Sequence, residues 1–193
     1  MVRSYLDEPV DSAALDRILD AARRVPSAGF SQGVELIVVT GAAARARLAA
    51  AAGEMAHLER GRQPWLSAAP VHVVIAVEPD AYRRRYREAD KTGSEVDDWP
   101  APYWWVDSGA ALMMLLLAAA NEGLGAGFLG IHAFDGLEAA VALPRGYEAI
   151  GLVTIGKAAD TTPVGSARRA RRPRHETEHA GEWGVPRRPA PPA

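Results

Sequence analysis

The chain of 193 residues contains no cysteine. That excludes disulfides, a thiolate nucleophile and any cysteine-ligated zinc or iron–sulfur centre. Lysine is nearly absent too. It occurs only at Lys91 and Lys157, so almost all of the 22 basic side chains are arginines. There is no basic segment followed by an apolar run at the N-terminus, so no signal peptide is expected. The longest apolar run, Gly109 to Ala120, falls short of the roughly 20 residues that cross a bilayer. No membrane association and a cytoplasmic location are therefore expected. The histidines, His57, His72, His132, His175 and His179, show no metal-ligand spacing beyond the isolated pair His175 and His179, and no metal is expected. Strand–GxGxxG–helix units are missing as well; Gly123 to Gly130 leaves a helix rather than opening one.

What remains is a chain with 48% apolar residues and a net charge of −2, enough for one domain with a sizeable core. The stretch Tyr103 to Ile131 dominates it. Asp107 has the side chain of an N-cap. The residues after it are apolar on every face, which predicts a buried central helix in a soluble core or a dimer interface. Gly123 suits a left-handed C-terminal cap. Leu124 to Ile131 reads as a glycine-rich strand whose backbone something approaches closely.

Before that stretch, Asp11 caps a helix whose stripe is Leu15, Ile18, Leu19 and Ala22, and Pro26 stops it. Pro26 to Gly33 is a small-residue polar loop. Strands are predicted at Glu35 to Thr40 and Val71 to Val77, with alanine-rich helix between them. Asp80 to Pro102, containing the run Tyr82 to Arg87, reads as a mobile excursion over the surface. A short helix from Leu137 to Leu143 and a strand from Glu148 to Lys157 follow. The order predicts an α+β sandwich around about four strands. Residues 158–184 form an arginine- and proline-rich arm that wraps the domain or a partner subunit, and 185–193 are expected to be disordered.

Several stretches, in order, carry a resemblance. They are Arg3-Ser4-Tyr5, the loop Pro26-Ser27-Ala28-Gly29-Phe30-Ser31-Gln32, Asp107-Ser108-Gly109, Gly123-Leu124-Gly125 with Phe128-Leu129-Gly130, Ile155-Gly156, and the arginines before Trp183. Together they resemble the FMN-dependent nitroreductase family. The resemblance implies a three-layer α/β/α sandwich with a mostly antiparallel central sheet, one FMN per subunit and an intertwined homodimer. It implies an enzyme passing hydride from NAD(P)H to nitroaromatics, quinones or similar small aromatic acceptors in a ping-pong cycle. It also implies site residues. Arg3 and Ser4 lie at the flavin pyrimidine edge. Pro26, Ser27, Ala28, Phe30 and Gln32 belong to the loop against the ribityl chain and phosphate, with Phe30 at the family's asparagine position. Gly130 and Ile131 present backbone N–H groups to the ring, and Arg169, Arg171 and Arg172 hold the phosphate, whose charge suits a guanidinium fork. Met1 falls at the family's serine position, so the preceding arginines either lie upstream or are replaced by the tail. No side-chain acid or base is implied, so no catalytic residue is named. Trp99, Tyr103 and Trp104 are placed on the substrate side.

Two other readings stand beside this one. Phe30 and the tryptophan-rich segment fit a specialised flavin-dependent oxidase or dehydrogenase of a metabolite, with oxygen as acceptor. The runs Arg83 to Arg87 and Arg168 to Arg174 could track phosphates of a nucleic acid, but the net charge and the lack of a nucleic-acid motif oppose this.

Overall fold

The computed structural model describes residues 1–94, 96–159 and 169–187. The chain divides into two units, Met1–Thr161 and Thr162–Ala193.

In the first unit, the four strands are β1 (Val34–Val39), β2 (Val71–Val77), β3 (Gly125–Gly130) and β4 (Glu148–Gly156), in the order β1-β2-β4-β3 with every pairing antiparallel. The two central strands are the continuous apolar runs. Every residue of β2 is buried, as expected for a strand covered on both faces. A bulge between Ile75 and Ala76 leaves Ile150 unpaired and puts Gly151 at φ +146°. A Cβ there would strike the Leu129 carbonyl oxygen, so glycine is required.

Among the described residues six helices flank the sheet: α1 (Ser12–Arg23), α2 (Ala42–Ala51), α3 (Glu54–Glu59), α4 (Pro79–Tyr86), α5 (Tyr103–Asn121) and α6 (Leu137–Ala140). Alternation along each strand divides the core in two. Ile18, Ala22, Leu115 and Ala119 of α1 and α5 pack on Val71, Val73, Ile75, Val153 and Ile155. Leu48, Ala49 and Leu137 of α2 and α6 pack on Val74, Ala149 and Leu152 from the other side. This is the α+β sandwich of three layers that the sequence implied.

Helix α1 keeps its expected cap, with the Ala14 N–H donating to Asp11 Oδ2 at 2.9 Å. Gly123 is left-handed as expected, φ +73°. Two expectations need correction. Asp107 is not an N-cap: α5 starts at Tyr103, after Pro102, and Asp107 lies buried in its second turn. Pro100 and Pro102 stop the helix from extending further back, and everything after them is helical. The longer helix spans 19 residues and, by length and composition alone, could cross a membrane. In the fold, however, it lays Ala111, Leu115 and Ala119 on the sheet, while Val106, Met113 and Leu117 remain exposed. Asp80 to Pro102, expected as a mobile excursion, carries regular helical structure among its described residues. Pro79, at the first helical position, opens α4, and single 3₁₀ turns follow at Ala89–Lys91 and Val96–Asp98.

The start of the chain is stitched to the sheet. Val2 N–H donates to the Ala126 carbonyl at 2.8 Å, Leu6 N–H to Lys157 at 2.9 Å, and Tyr5 pairs with Ala158. The Tyr5 hydroxyl lies 2.7 Å from Thr154 Oγ1, and burial pushes its pKa up to about 12 against the lowering effect of that bond. What approaches the glycine-rich strand is this segment: a Cβ on Gly127 would collide with the Val2 carbonyl oxygen.

In the second unit, residues 169–187 hold one 3₁₀ turn, Arg174–Glu176, and a bridge between His179 and Pro186. The Arg187 N–H donates to the Glu178 carbonyl at 3.0 Å. Residues 160–168 and 188–193, which include Arg168, lie outside the described residues.

Candidate functional site

The loop Pro26 to Gly33 is held from three sides. From α5, Asp107 Oδ2 accepts the Ala28 N–H at 2.9 Å. From α4, Arg85 Nε donates to the Gly29 carbonyl at 2.8 Å. The Tyr86 ring lies so close to Gly29 that a Cβ there would overlap it. From the end of β2, the Glu78 N–H donates to the Gly33 carbonyl at 2.8 Å. The bracing matters because the loop backbone is strained: Gly29, Phe30 and Gln32 all have positive φ, at 60°, 60° and 52°. A bulky residue in this region costs of the order of 1–3 kcal/mol and persists only when its surroundings dictate it.

Asp107 is also the acceptor of the Tyr82 hydroxyl at 2.7 Å. Burial first, then this bond to a carboxylate, drives the Tyr82 hydroxyl far above its ordinary pKa, so it stays a donor at any working pH. One carboxylate thus joins α4, α5 and the loop.

Beside that junction lies a cleft of about 570 Å³, lined by Pro26, Ser27, Ala28, Tyr86, Ser94, Trp99, Tyr103, Val106 and Asp107. Its aromatic wall is ordered edge to face. Tyr86 and Trp99 have ring centroids 4.7 Å apart at 86°, and Trp99 and Tyr103 are 5.2 Å apart at 90°. The volume falls in the range of small-molecule sites.

A second locus lies where the N-terminal segment meets β3. The Arg3 guanidinium sits over the Trp65 ring, and no carboxylate pairs with it among the described residues. Trp65 is positioned by Glu54, whose buried carboxylate accepts backbone N–H groups of Trp65, Leu66 and Ser67 at 2.9, 2.7 and 3.1 Å.

A family model described as the Nitroreductase family matches residues 1–157. The chain belongs to this family. An FMN reductase [NAD(P)H] of Bacillus subtilis is 28% identical over 184 residues, covering 92% of this chain and 68% of that one. Among solved structures, a hypothetical oxidoreductase of Bacillus subtilis aligns with a TM-score of 0.73 at 28% identity, covering 94% of this chain and 70% of that one. An FMN-dependent nitroreductase of Clostridium difficile aligns at 0.69 with 19% identity, covering 94% of both, a likeness of fold.

Within this nitroreductase-family chain, the residues singled out from the sequence separate into groups. Pro26, Ser27, Ala28, Trp99 and Tyr103 meet at the cleft. Trp104 does not line it; it packs edge to face with Tyr82 at 6.1 Å, and the Arg83 guanidinium lies over its ring at 5.4 Å. Phe30 and Gln32 are exposed, and the Gln32 N–H donates to Ser27 Oγ at 3.0 Å. Ser4 contributes its carbonyl to the Ala159 N–H at 3.0 Å. Gly130 ends β3, and Ile131 starts the turn after it, with His132 folded against Gly130. Among the described residues no hydrogen bond, ion pair or ring contact links Arg3 to the Pro26 loop. In the second unit, Arg172 pairs with Glu176 at 3.2 Å, while Arg169 and Arg171 have no carboxylate partner among the described residues.

Arg3 in the first unit, and separately Arg169 and Arg171 in the second, are guanidiniums with no internal counter-ion among the described residues, the donor type that suits an anionic group of a flavin. Phe30 does not suit the ring, because it has no amide to offer. The arginines of α4 are already engaged. Arg84 pairs with Glu78 and Arg85 with Asp90, both at 2.7 Å, and Arg83 with Asp80 at 2.7 Å. Little of that run's charge is left for a polyanion. No cluster of three or more metal-ligating residues occurs among the described residues.

Reading the sequence alone missed Asp107 as a junction, together with Tyr82, Tyr86, Trp65 and Glu54. The available signal was a single acid, Asp107, beside a long apolar run. A carboxylate there needs buried donors, not just a helix end.

Proposed function

We propose that the chain is an FMN-dependent oxidoreductase that draws on NAD(P)H and reduces nitroaromatics, quinones or related acceptors in a ping-pong cycle. The family match over residues 1–157 carries this reading, and the FMN reductase of Bacillus subtilis, similar over most of the chain, supports the cofactor and the donor.

When bound, FMN would supply a carrier of two electrons as hydride between donor and acceptor. Arg3 would place a fixed positive charge at the flavin, favouring its anionic reduced form. Ser27 and its neighbours would hold the ribityl and phosphate end; Arg169 and Arg171, in the second unit, are guanidiniums of the kind that neutralises phosphate charge. Gly130 and Ile131 would direct backbone N–H groups at the ring. Pro26, Trp99, Tyr103 and Val106 would exclude water from the cleft where donor and acceptor bind in turn.

The chain acts as a homodimer in this reading. Val106, Met113 and Leu117 form one exposed apolar seam along α5, at 54, 51 and 60% exposure, and a second copy would cover it. The cytoplasm is its proposed location. A specialised flavin-dependent oxidase or dehydrogenase is the second reading. Phe30, in the place of a ring-binding amide, favours it.

The deciding experiment is the visible spectrum of purified protein, followed by NAD(P)H consumption with and without a nitroaromatic. Flavin bands near one per chain and acceptor-dependent consumption are expected. A colourless protein that ignores added FMN would overturn the proposal. Flavin-loaded protein that oxidises a metabolite but never NAD(P)H would favour the second reading.

A further inference from the structure

We propose that the cleft beside the Pro26 loop binds an organic cation, an ammonium group carried on an aromatic ring, with the Asp107 carboxylate as its counter-ion and the rings of Tyr86, Trp99 and Tyr103 as its walls. This rests on the proposed function only in making that cation the acceptor substrate, or part of it.

Asp107 is the first observation. It is 6% exposed and lines the cleft. Both of its donors, the Tyr82 hydroxyl and the Ala28 N–H, go to the same oxygen, Oδ2. Among the described residues, Oδ1 receives no donor, and no arginine, lysine or histidine lies within ion-pair distance of the carboxylate. A buried carboxylate is costly unless it is paired and fully hydrogen-bonded. The protein supplies two neutral donors and no cationic partner among the described residues.

The walls are the second observation. Two successive ring pairs meet at 86° and 90°, so neighbouring faces turn toward different sides of the cleft. A cation beside such rings would be attracted by whichever negative π face is turned to it, as ammonium ligands are. The chain itself gives a precedent, since the Lys91 ammonium lies 5.3 Å over the Tyr86 ring. That ammonium does not reach Asp107, so the carboxylate remains available. A cleft of about 570 Å³ is far larger than a bare ion needs and accommodates an aromatic ring with its ammonium.

The test titrates purified full-length protein with benzylammonium, benzyl alcohol and benzoate, following tryptophan fluorescence and calorimetric heat. Benzylammonium is expected to bind about tenfold more tightly than benzyl alcohol, and benzoate more weakly than either. Asp107→Asn keeps an oxygen to accept from Tyr82 and Ala28 but removes the charge. It is expected to remove the preference for benzylammonium and leave benzyl alcohol unchanged. If that variant does not fold, Tyr103→Leu, at a half-exposed position, replaces it and is expected to weaken benzylammonium more than the alcohol. Equal affinities for ammonium and alcohol in the unaltered protein, or equal losses for both in the variant, would overturn the proposal. Flavin content and NAD(P)H oxidation are measured on the same samples. Colourless protein that still prefers benzylammonium upholds the cation site and sinks the flavin reading. Flavin-loaded, NAD(P)H-oxidising protein without that preference does the reverse.

Discussion

The guanidinium carbon of Arg3 lies 5.7 Å from the centre of the Trp65 ring. The indole is therefore the platform for a cation that no carboxylate neutralises among the described residues. Its place is set by Glu54, whose carboxylate gathers three successive backbone N–H groups, including that of Trp65 itself. Support for the proposed flavin contact thus runs from Glu54 through Trp65 to Arg3.

Glu54→Ala should lose about 2 kcal/mol of stability, because one buried and two partly buried N–H groups are left without their acceptor. It should also weaken FMN binding by about tenfold as Trp65 loosens beneath Arg3. Urea unfolding and flavin titration check both. A variant with full stability would show that the carboxylate is dispensable, and one that is destabilised yet binds FMN normally would detach Trp65 from the flavin site.

His72 makes stability depend on pH. Its ring is buried, Nε2 bonds the Leu66 carbonyl at 2.7 Å and Nδ1 has no partner among the described residues. Burial, reinforced by Arg45 and opposed by the Leu66 bond and Glu54, lowers its pKa from 6.5 to about 4. The unfolded chain therefore binds a proton at a higher pH than the folded one. Stability from this group is complete above pH 6.5 and declines as pH falls toward 4, by roughly 3 kcal/mol in all. Denaturation midpoints measured from pH 7 to 4 should show this slope. His72→Leu should be less stable at pH 7 but flatter across the window.

Phe30→Asn should stabilise the protein by about 1 kcal/mol. Phe30 has φ +60° and 72% exposure, so it bears left-handed strain without core burial, and asparagine tolerates that conformation far better. Thermal unfolding would show the gain. An unchanged or lower melting temperature would mean that the phenyl ring is covered in the working assembly.

The pair Met113→Glu and Leu117→Glu should convert a dimer to monomers and release flavin, since two charges would enter an apolar seam. Sedimentation and flavin retention report the two effects. A dimer that survives both changes places the interface elsewhere.

Much of this architecture was legible in the residues themselves. The strand expected at Val71 to Val77 matches β2 residue for residue. Asp11 caps α1, and Gly123 closes α5. Each of these depends on neighbours within a few positions, so local chemistry is enough. The stretch from Pro26 was legible as a loop for the same reason: its small and polar residues follow one another along the chain. Its partners were not legible.

Asp107 shows where that reading ends. Its side chain and the apolar run after it describe a helix cap, and that preference is real. Tyr82 and Ala28, 25 and 79 residues away in the chain, decide otherwise. The glycines of β3 likewise announced a close neighbour but not that it would be Val2. Residue order determined the elements, their caps and the two faces of the sheet, because those follow from spacing and backbone preference. Folding alone decided which buried carboxylate meets which donor, because a desolvated charge takes its partners from whatever the packed layers bring within about 3 Å, however distant in the chain.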